Sequence, residues 1–200
     1  MLKAFLSEVL SLKGEYQLAK KFADQAWELA AFDRLERDFV RAAYCQGLAA
    51  LRLNDLNTAD ERLHLALKRV RAIQAVEEEL KILIALAEFY HKQGEAEKAR
   101  EHLDDVWDYA EQGPYPLFHA DALNILAQIE IVVGNKEAAI TAATQAYQKA
   151  WCDGPPYAYH YGLENAKRLL KELGAEEPDM PPFDPSKFEP MPEVEIDPGE

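Results

Sequence analysis

The 200-residue sequence contains few residues of several types, and each shortage excludes a class of binding site or partner. It has two cysteines, Cys45 and Cys152, whose spacing fits neither a disulfide framework nor a metal site. Basic residues are in the minority, with 22 Lys and Arg against 36 Asp and Glu and a net charge of −14. Nucleic acids and anionic membranes are bound by basic surfaces. We therefore expect neither nucleic acid nor a membrane as a partner.

Long apolar runs are also missing. The N-terminal stretch MLKAFLSEVLSLKGEY is interrupted by Glu8 and lacks a small-residue cleavage site, so it does not resemble a signal peptide. No segment resembles the run of about 20 apolar residues that a membrane-spanning helix needs. Hydrophobic residues still make up 48% of the chain, which is enough for a core. The sequence therefore predicts a soluble, cytoplasmic protein with reduced cysteines.

Common catalytic and phosphate-binding motifs are absent. The sequence contains no GxxxxGK[ST], GxGxxG, GxSxG, HExxH or CxxC pattern. None of the five histidines is paired with another His or a Cys at ligand spacing on one helix face. Asp104 and Asp105 are better explained by an acidic helix face than by a general acid–base pair. We expect a protein that is not an enzyme and has no catalytic residues, cofactor or metal ion.

The sequence does contain an internal repeat of 40 residues. A residue that tolerates left-handed backbone recurs at this interval, at Gly14, Asn54, Gly94 and Gly134. Five residues after each stands an alanine, and seven residues further on stands another small residue: Ala19, Ala59, Ala99, Ala139; Ala26, Ala66, Val106, Ala146. Small side chains at fixed positions let two helices cross closely. The register therefore predicts one helical hairpin in each unit.

An apolar stripe of helical period precedes each turn. The stripes comprise Phe5, Leu6, Val9, Leu10; Ala43, Leu48, Leu51; Leu83, Leu86, Phe89, Tyr90; and Leu123, Leu126, Ile129. One hairpin cannot bury such a stripe alone, so neighbouring hairpins must stack. We expect a helical domain over 1–174, with hairpins at about 1–31, 33–71, 75–112 and 116–151 and a capping helix at 157–173.

The composition changes after residue 174. Residues 176–200 contain nine acidic residues, seven of the eleven prolines and one lysine, Lys187. This composition predicts an acidic tail over 175–200 without helix or strand. Phe183, Phe188 and Met191 could anchor the tail in cis along the helical domain. The alternative is a tail that only increases solubility.

The Gly-x4-Ala-x6-Ala pattern of the units resembles the tetratricopeptide repeat (TPR) family. The period of 40 exceeds the family's usual 34 or so, and HEAT and armadillo repeats, which share the longer period, are the competing assignment. The TPR resemblance implies an all-α, right-handed superhelical solenoid of four hairpins with a capping helix. It also implies that the first helix of each hairpin lines a concave groove that binds a peptide or protein.

The register projects a specific set of side chains into that groove. The candidate partner-binding residues are Arg41, Tyr44, Arg52, Lys81, Glu88, His91, Lys92, Asn124 and Gln128, with Asp121 on the same face. The four Arg and Lys residues would form a basic stripe in an acidic protein, suited to an acidic, extended ligand such as the tail. The alternative is that these are ordinary solvated residues of helix surfaces.

The C-terminal quarter carries a second resemblance. The stretch AWCDGPPYAYHYGLENAKRLLKELG and the tail are similar to the ends of TPR arrays in bacterial STAND-type signalling NTPases. This resemblance implies the alternative function of a sensor arm whose catalytic domain lies elsewhere. The aromatic residues Trp151, Tyr157, Tyr159 and Tyr161 either seal the end of the solenoid or form a surface for a partner.

Because the sequence lacks a phosphate cradle and paired metal ligands, we expect the purified chain to hydrolyse neither ATP nor GTP and to bind no stoichiometric zinc. A phosphate-release assay and metal analysis after dialysis measure both. Turnover that a point substitution in this chain abolishes would contradict the non-enzyme interpretation.

Overall fold

The computed structural model describes residues 2–110 and 115–187, and these residues are almost entirely helical. Nine α-helices and no strand occur in these ranges: α1 (Leu2–Leu12), α2 (Tyr16–Asp33), α3 (Glu36–Arg52), α4 (Leu56–Ile73), α5 (Val76–Lys92), α6 (Ala96–Ala110), α7 (Pro116–Val133), α8 (Lys136–Trp151) and α9 (His160–Leu173). A short 3₁₀ turn follows at Pro185–Lys187. The expected all-α class is confirmed.

Left-handed residues end the helices at regular intervals. The predicted turn residues Gly14, Asn54, Gly94 and Gly134 all have positive φ, between 62° and 82°. Gly174, with φ 69°, continues the same 40-residue interval to a fifth position. A second set lies midway between the first, at Arg34, Gln74 and Gly154, with φ of 54°, 52° and 83°. The chain therefore reverses about every 20 residues.

Small residues hold the two helices of each hairpin together. Ala19, Ala59, Ala99 and Ala139 are all 0% exposed, as expected of small residues where two helices cross. Gly47 adds a contact that the register did not predict, because a Cβ atom there would lie 2.7 Å from Leu63 Cγ. The helices α3 and α4 therefore approach too closely for any larger side chain at this position.

The helices pack in sequence order and form two layers. Each helix packs against the next, and α1, α3, α5, α7 and α9 also pack against one another in that order. Within the described ranges, no two of the even-numbered helices pack together. The odd-numbered helices thus form a continuous layer, which we call the odd-numbered layer. The even-numbered helices cover one side of this layer.

The first half of the tail packs against the C-terminal end of the domain. Tyr147 donates a hydrogen bond to Glu177 (3.0 Å), and Trp151 Nε1 donates one to the Pro181 carbonyl (2.9 Å). The rings of Phe183 and Tyr157 lie 5.0 Å apart. These contacts place residues 177–183 on α8 and the loop after it rather than along α3 and α5. The proposed anchors Phe188 and Met191 lie outside the described residues.

We expected no segment that could cross a membrane, but the helix α7 is long and apolar enough to do so. Over Pro116–Val133 it is 18 residues long with a mean hydropathy of 1.3, which suffices by length and composition alone. It packs against α5, α6, α8 and α9 and carries the buried polar residues Asn124 and Glu130. Asn124 donates a hydrogen bond to Gly162, and Glu130 pairs with Arg100. These contacts are typical of a central helix in a stacked array.

The first hairpin leaves part of its predicted apolar stripe uncovered. Phe5 of this stripe is 62% exposed, and Leu2, which precedes the stripe on α1, is 69% exposed, whereas the stripes of α3, α5 and α7 are largely buried. The physical reason is that α1 packs only against α2 and α3 among the described residues, which leaves its other side uncovered.

Substitution of a crossing alanine tests the register. Ala99→Leu should lower the free energy of unfolding by roughly 1–3 kcal/mol, because the larger side chain cannot fit between α5 and α6. Glu101→Leu, at an exposed position on the same helix, is the matched control and should have little effect. Urea denaturation followed by circular dichroism measures both, and equal stabilities would mean that the register is wrong.

Candidate binding groove

Two adjoining cavities lie along the odd-numbered layer. The larger, of about 590 Å³, lies between α1, α3 and α5 and is mostly apolar; we call it the apolar cavity. The smaller, of about 280 Å³, is lined by residues of α3, α5, α7 and α9 and by Leu12 of α1 and is more polar; we call it the polar cavity. Tyr44 and Lys81 line both. The two cavities therefore adjoin along one surface, which we call the groove.

The structure brings most of the predicted partner-binding residues together. Six of the nine line the polar cavity: Tyr44, Arg52, Lys81, Glu88, Asn124 and Gln128. Arg41 lines the apolar cavity, and His91 and Lys92 line neither. Lys92 lies beside the groove instead, where Nζ donates to the Leu51 carbonyl (3.2 Å) and stands 3.8 Å from Glu88 Oε1.

The expected basic stripe is not free to bind an acidic ligand. Each of its cations contacts a carboxylate of the same chain. Arg52 pairs with Glu88, Lys81 Nζ lies 2.7 Å from Glu8 Oε2, and Arg41 Nη2 lies 2.7 Å from Glu78 Oε1. Most of these partners come from a different hairpin, so the charges neutralise one another across the groove. Burial also lowers the pKa of His91, which leaves this imidazole mainly uncharged at neutral pH.

The most heavily bonded of these carboxylates is Glu78. Its side chain is buried and accepts hydrogen bonds from Arg37 (2.7 and 3.1 Å) and Arg41 (2.7 and 3.1 Å). Burial alone would raise the pKa of Glu78, but the two guanidinium groups outweigh it and hold the pKa below its usual value. The ion pair thus ties α3 to α5 at the edge of the apolar cavity.

A carboxyl–phenol pair occupies the other end of the groove. Tyr159 donates its hydroxyl to Asp121, with distances of 3.2 Å to Oδ1 and 3.0 Å to Oδ2. Burial raises the pKa of Asp121 to about 7, against the opposing effect of the Tyr159 hydrogen bond, and the charge of Glu88 raises it further. Asp121 therefore changes its charge near neutral pH.

Uncharged amides lie between these charged groups. Asn124 is 3% exposed, and its Nδ2 donates to the Gly162 carbonyl (3.0 Å), while its Oδ1 has no hydrogen-bond partner among the described residues. Gln128 Nε2 donates to the Asn124 carbonyl (3.2 Å), which leaves its Oε1 as a further acceptor. The polar cavity thus contains amide and phenol groups that can bind the main chain of a peptide.

Sequence reasoning missed the contribution of α9 to the groove. Tyr159, Tyr161, Asn165 and Arg168 line the polar cavity. The missed signal was Gly174, because one more interval of 40 makes Tyr161 equivalent to Arg41, Lys81 and Asp121. The aromatic cluster therefore divides, with Tyr159 and Tyr161 in the groove and Trp151 and Tyr157 against the tail.

No protein-family model, curated protein or solved structure matches the chain. The assignment to tetratricopeptide repeats rather than HEAT or armadillo repeats therefore stays a proposal. Among residues 2–110 and 115–187, no group of three His, Cys, Asp or Glu side chains could hold a metal ion.

The titration of Asp121 predicts a specific pH dependence of stability. Its folded-state pKa of about 7 lies above the ordinary value near 3.9, so its stabilising contribution is complete below about pH 4 and is lost as the pH rises to 7. Asp121→Asn replaces the carboxyl group with an amide that does not ionise, so the variant should not lose this stability as the pH rises. The stability of the variant relative to the wild type should therefore grow by up to about 4 kcal/mol between pH 4 and pH 8, because the pKa is raised by about three units and each unit corresponds to roughly 1.4 kcal/mol.

Urea denaturation at a series of pH values measures this difference. Asp104→Asn, on the exposed face of α6, is the matched control and should follow the wild type. If the Asp121 variant also follows the wild type at every pH, the carboxyl does not titrate near neutrality.

Proposed function

We propose that the chain is a right-handed solenoid of TPR type that holds a peptide or protein in the groove. Two features support the solenoid: the 40-residue interval extends over five turns, and only the odd-numbered helices pack on one another from unit to unit. In such a stack the odd-numbered layer forms the inner, concave side. The groove then lies where repeat proteins of this architecture present their binding surfaces.

The observation that carries the proposal is the adjoining of an apolar and a polar cavity on one surface. The walls of the apolar cavity include Leu2, Phe5, Val40 and Ile82, and about 590 Å³ is ample room for a large apolar side chain. The polar cavity beside it offers amide and phenol groups to a main chain. Five helices spaced about 9 Å apart would accommodate an extended peptide of roughly ten residues.

The paired cations define the kind of ligand that we propose. An acidic ligand would have to displace Glu8, Glu78 or Glu88 from its partner, and breaking a partly buried ion pair is costly. An apolar anchor with main-chain hydrogen bonds needs no such exchange. We therefore propose a ligand recognised by a large apolar side chain in the apolar cavity rather than by negative charge.

A binding role rather than a catalytic one is part of the proposal, because the sequence lacks nucleophile and phosphate motifs. The acidic composition and the free cysteines support a cytoplasmic adaptor or scaffold. The sensor-arm alternative would use the same groove, with a trigger protein as its ligand.

Selection from a random-peptide display library tests the groove. We expect the selected peptides to share a large apolar residue and to bind with micromolar affinity by fluorescence anisotropy. Leu12→Arg and Tyr161→Ala, at exposed groove positions, should each weaken binding at least tenfold, since both side chains line the polar cavity.

Gln145→Arg on the exposed face of α8 is the matched control and should bind as the wild type does. Circular dichroism confirms that each variant keeps its helices. Peptides that bind equally well to all variants would show that the groove is not the binding site.

A further inference from the structure

The end of the first hairpin carries an uncovered apolar surface. Seven side chains form it, four from α1 and three from α2: Leu2, Phe5, Leu6, Val9, Leu18, Phe22 and Leu29. We call this surface the N-terminal face. Four of the seven are at least 40% exposed. A contiguous group of exposed apolar side chains is unusual on a surface that contacts only solvent.

The repeat register shows what kind of surface the N-terminal face is. Leu2 corresponds to Ala42, Ile82 and Ala122, which are all 0% exposed, whereas Leu2 is 69% exposed. Phe5 corresponds to Cys45, Ala85 and Ile125, which are at most 8% exposed, whereas Phe5 is 62% exposed. In the later units these positions meet the preceding hairpin. Cys45 shows this directly, because its Sγ lies 3.4 Å from the Ala4 carbonyl of α1.

The same relation holds for α2. Phe22 corresponds to Arg62 of α4, whose guanidinium lies 4.8 Å from the ring centre of Trp27 in the preceding hairpin. Phe22 therefore occupies a position that meets the preceding unit in the rest of the array. The N-terminal face has the chemistry of the stacking surfaces inside the protein, but it has no hairpin against it.

The opposite end of the array is built differently. The positions of α3 that meet the next hairpin are Tyr44, Leu48 and Leu51, and their equivalents on α9 are Glu164, Arg168 and Lys171. All three are exposed and charged, as is typical of the last repeat of an array. The adjacent surface of α8 is covered by residues 177–183. Within residues 2–110 and 115–187, the other end of the array therefore offers no complementary apolar helix face to the N-terminal face.

Charge also favours contact between two N-terminal faces. In residues 2–32, four lysines balance four acidic residues: Lys3, Lys13, Lys20, Lys21, Glu8, Glu15, Asp24 and Glu28. The remainder of the chain carries the whole net charge of −14. Contact between two first hairpins therefore brings neutral regions together, whereas contact through the rest of the chain would bring negatively charged regions together.

We propose that two copies of this chain pair through their N-terminal faces in a two-fold symmetric dimer. Each copy supplies four apolar side chains that are at least 40% exposed, at roughly 100 Å² each, and three that are partly buried, so the contact would bury about 1,000 Å², close to the minimum for a specific interface. Because Leu2 and Phe5 also line the apolar cavity, the partner copy would close its outer side. The dimer would carry two grooves, one on each side of the symmetry axis.

Sedimentation equilibrium of the full chain between about 1 and 100 µM tests the proposal. We expect the wild type to be a dimer in this range and Phe5→Glu to be a monomer with unchanged helicity. Val132→Glu is the matched control, because Val132 is 68% exposed on α7, away from the N-terminal face, and its substitution should leave the dimer intact. A monomeric wild type, or a dimer that Phe5→Glu does not affect, would overturn the proposal.

A charge-exchange experiment tests the symmetry. Phe5→Glu and Phe5→Lys should each be monomeric alone, and an equimolar mixture should form a heterodimer, because a two-fold contact brings the same region of both copies together. Failure of the mixture to associate would exclude pairing through this face. Leu12 and Tyr161 do not belong to the N-terminal face, so Leu12→Arg and Tyr161→Ala should remain dimers, and the oligomeric state can be tested separately from peptide binding.

Discussion

The close approach of paired helices at small side chains is the constraint on which the rest of the molecule depends. Ala59, Ala99 and Ala139 have no exposed surface, and Gly47 leaves no room for a Cβ atom beside Leu63. Helices held this closely cannot tilt freely, so each hairpin presents its first helix to the next unit. The first helices pack on one another in order and form the odd-numbered layer, and with it the groove.

The features that the sequence could predict are those that repeat locally. A left-handed turn residue and an alanine five positions later act within one hairpin, so their spacing alone identifies the fold class. The ion pairs of the groove could not be predicted in this way. Lys81 and Glu8 lie 73 residues apart, and Arg52 and Glu88 lie 36 apart. Their pairing depends on how successive hairpins stack and on side-chain rotamers, which the register does not determine.

At the C-terminal end the 40-residue interval continues in its turn residue but not in its second helix. Gly174 continues the turn register, so α9 is the first helix of a fifth unit and contributes to the groove. The alanine of that unit is replaced by Asp179, and Pro178 precedes it, which prevents a second helix. The extended chain instead covers Tyr147 and Trp151 of α8, whose ring and hydroxyl groups would otherwise face solvent. A broken repeat thus closes this end in cis.

The internal charge pairs of the groove also limit how it can select a ligand. A groove with free cations would attract any acidic chain, including its own tail, at a rate set by long-range attraction. Here the cations of α3 and α5 are each satisfied by Glu8, Glu78 or Glu88, so their main effect is to fix neighbouring hairpins relative to one another. The shape of the apolar cavity and the uncharged amides would then determine which ligand the groove binds. Asp121 is the exception, since its charge changes near neutral pH and would alter the field of the polar cavity without any movement of the helices.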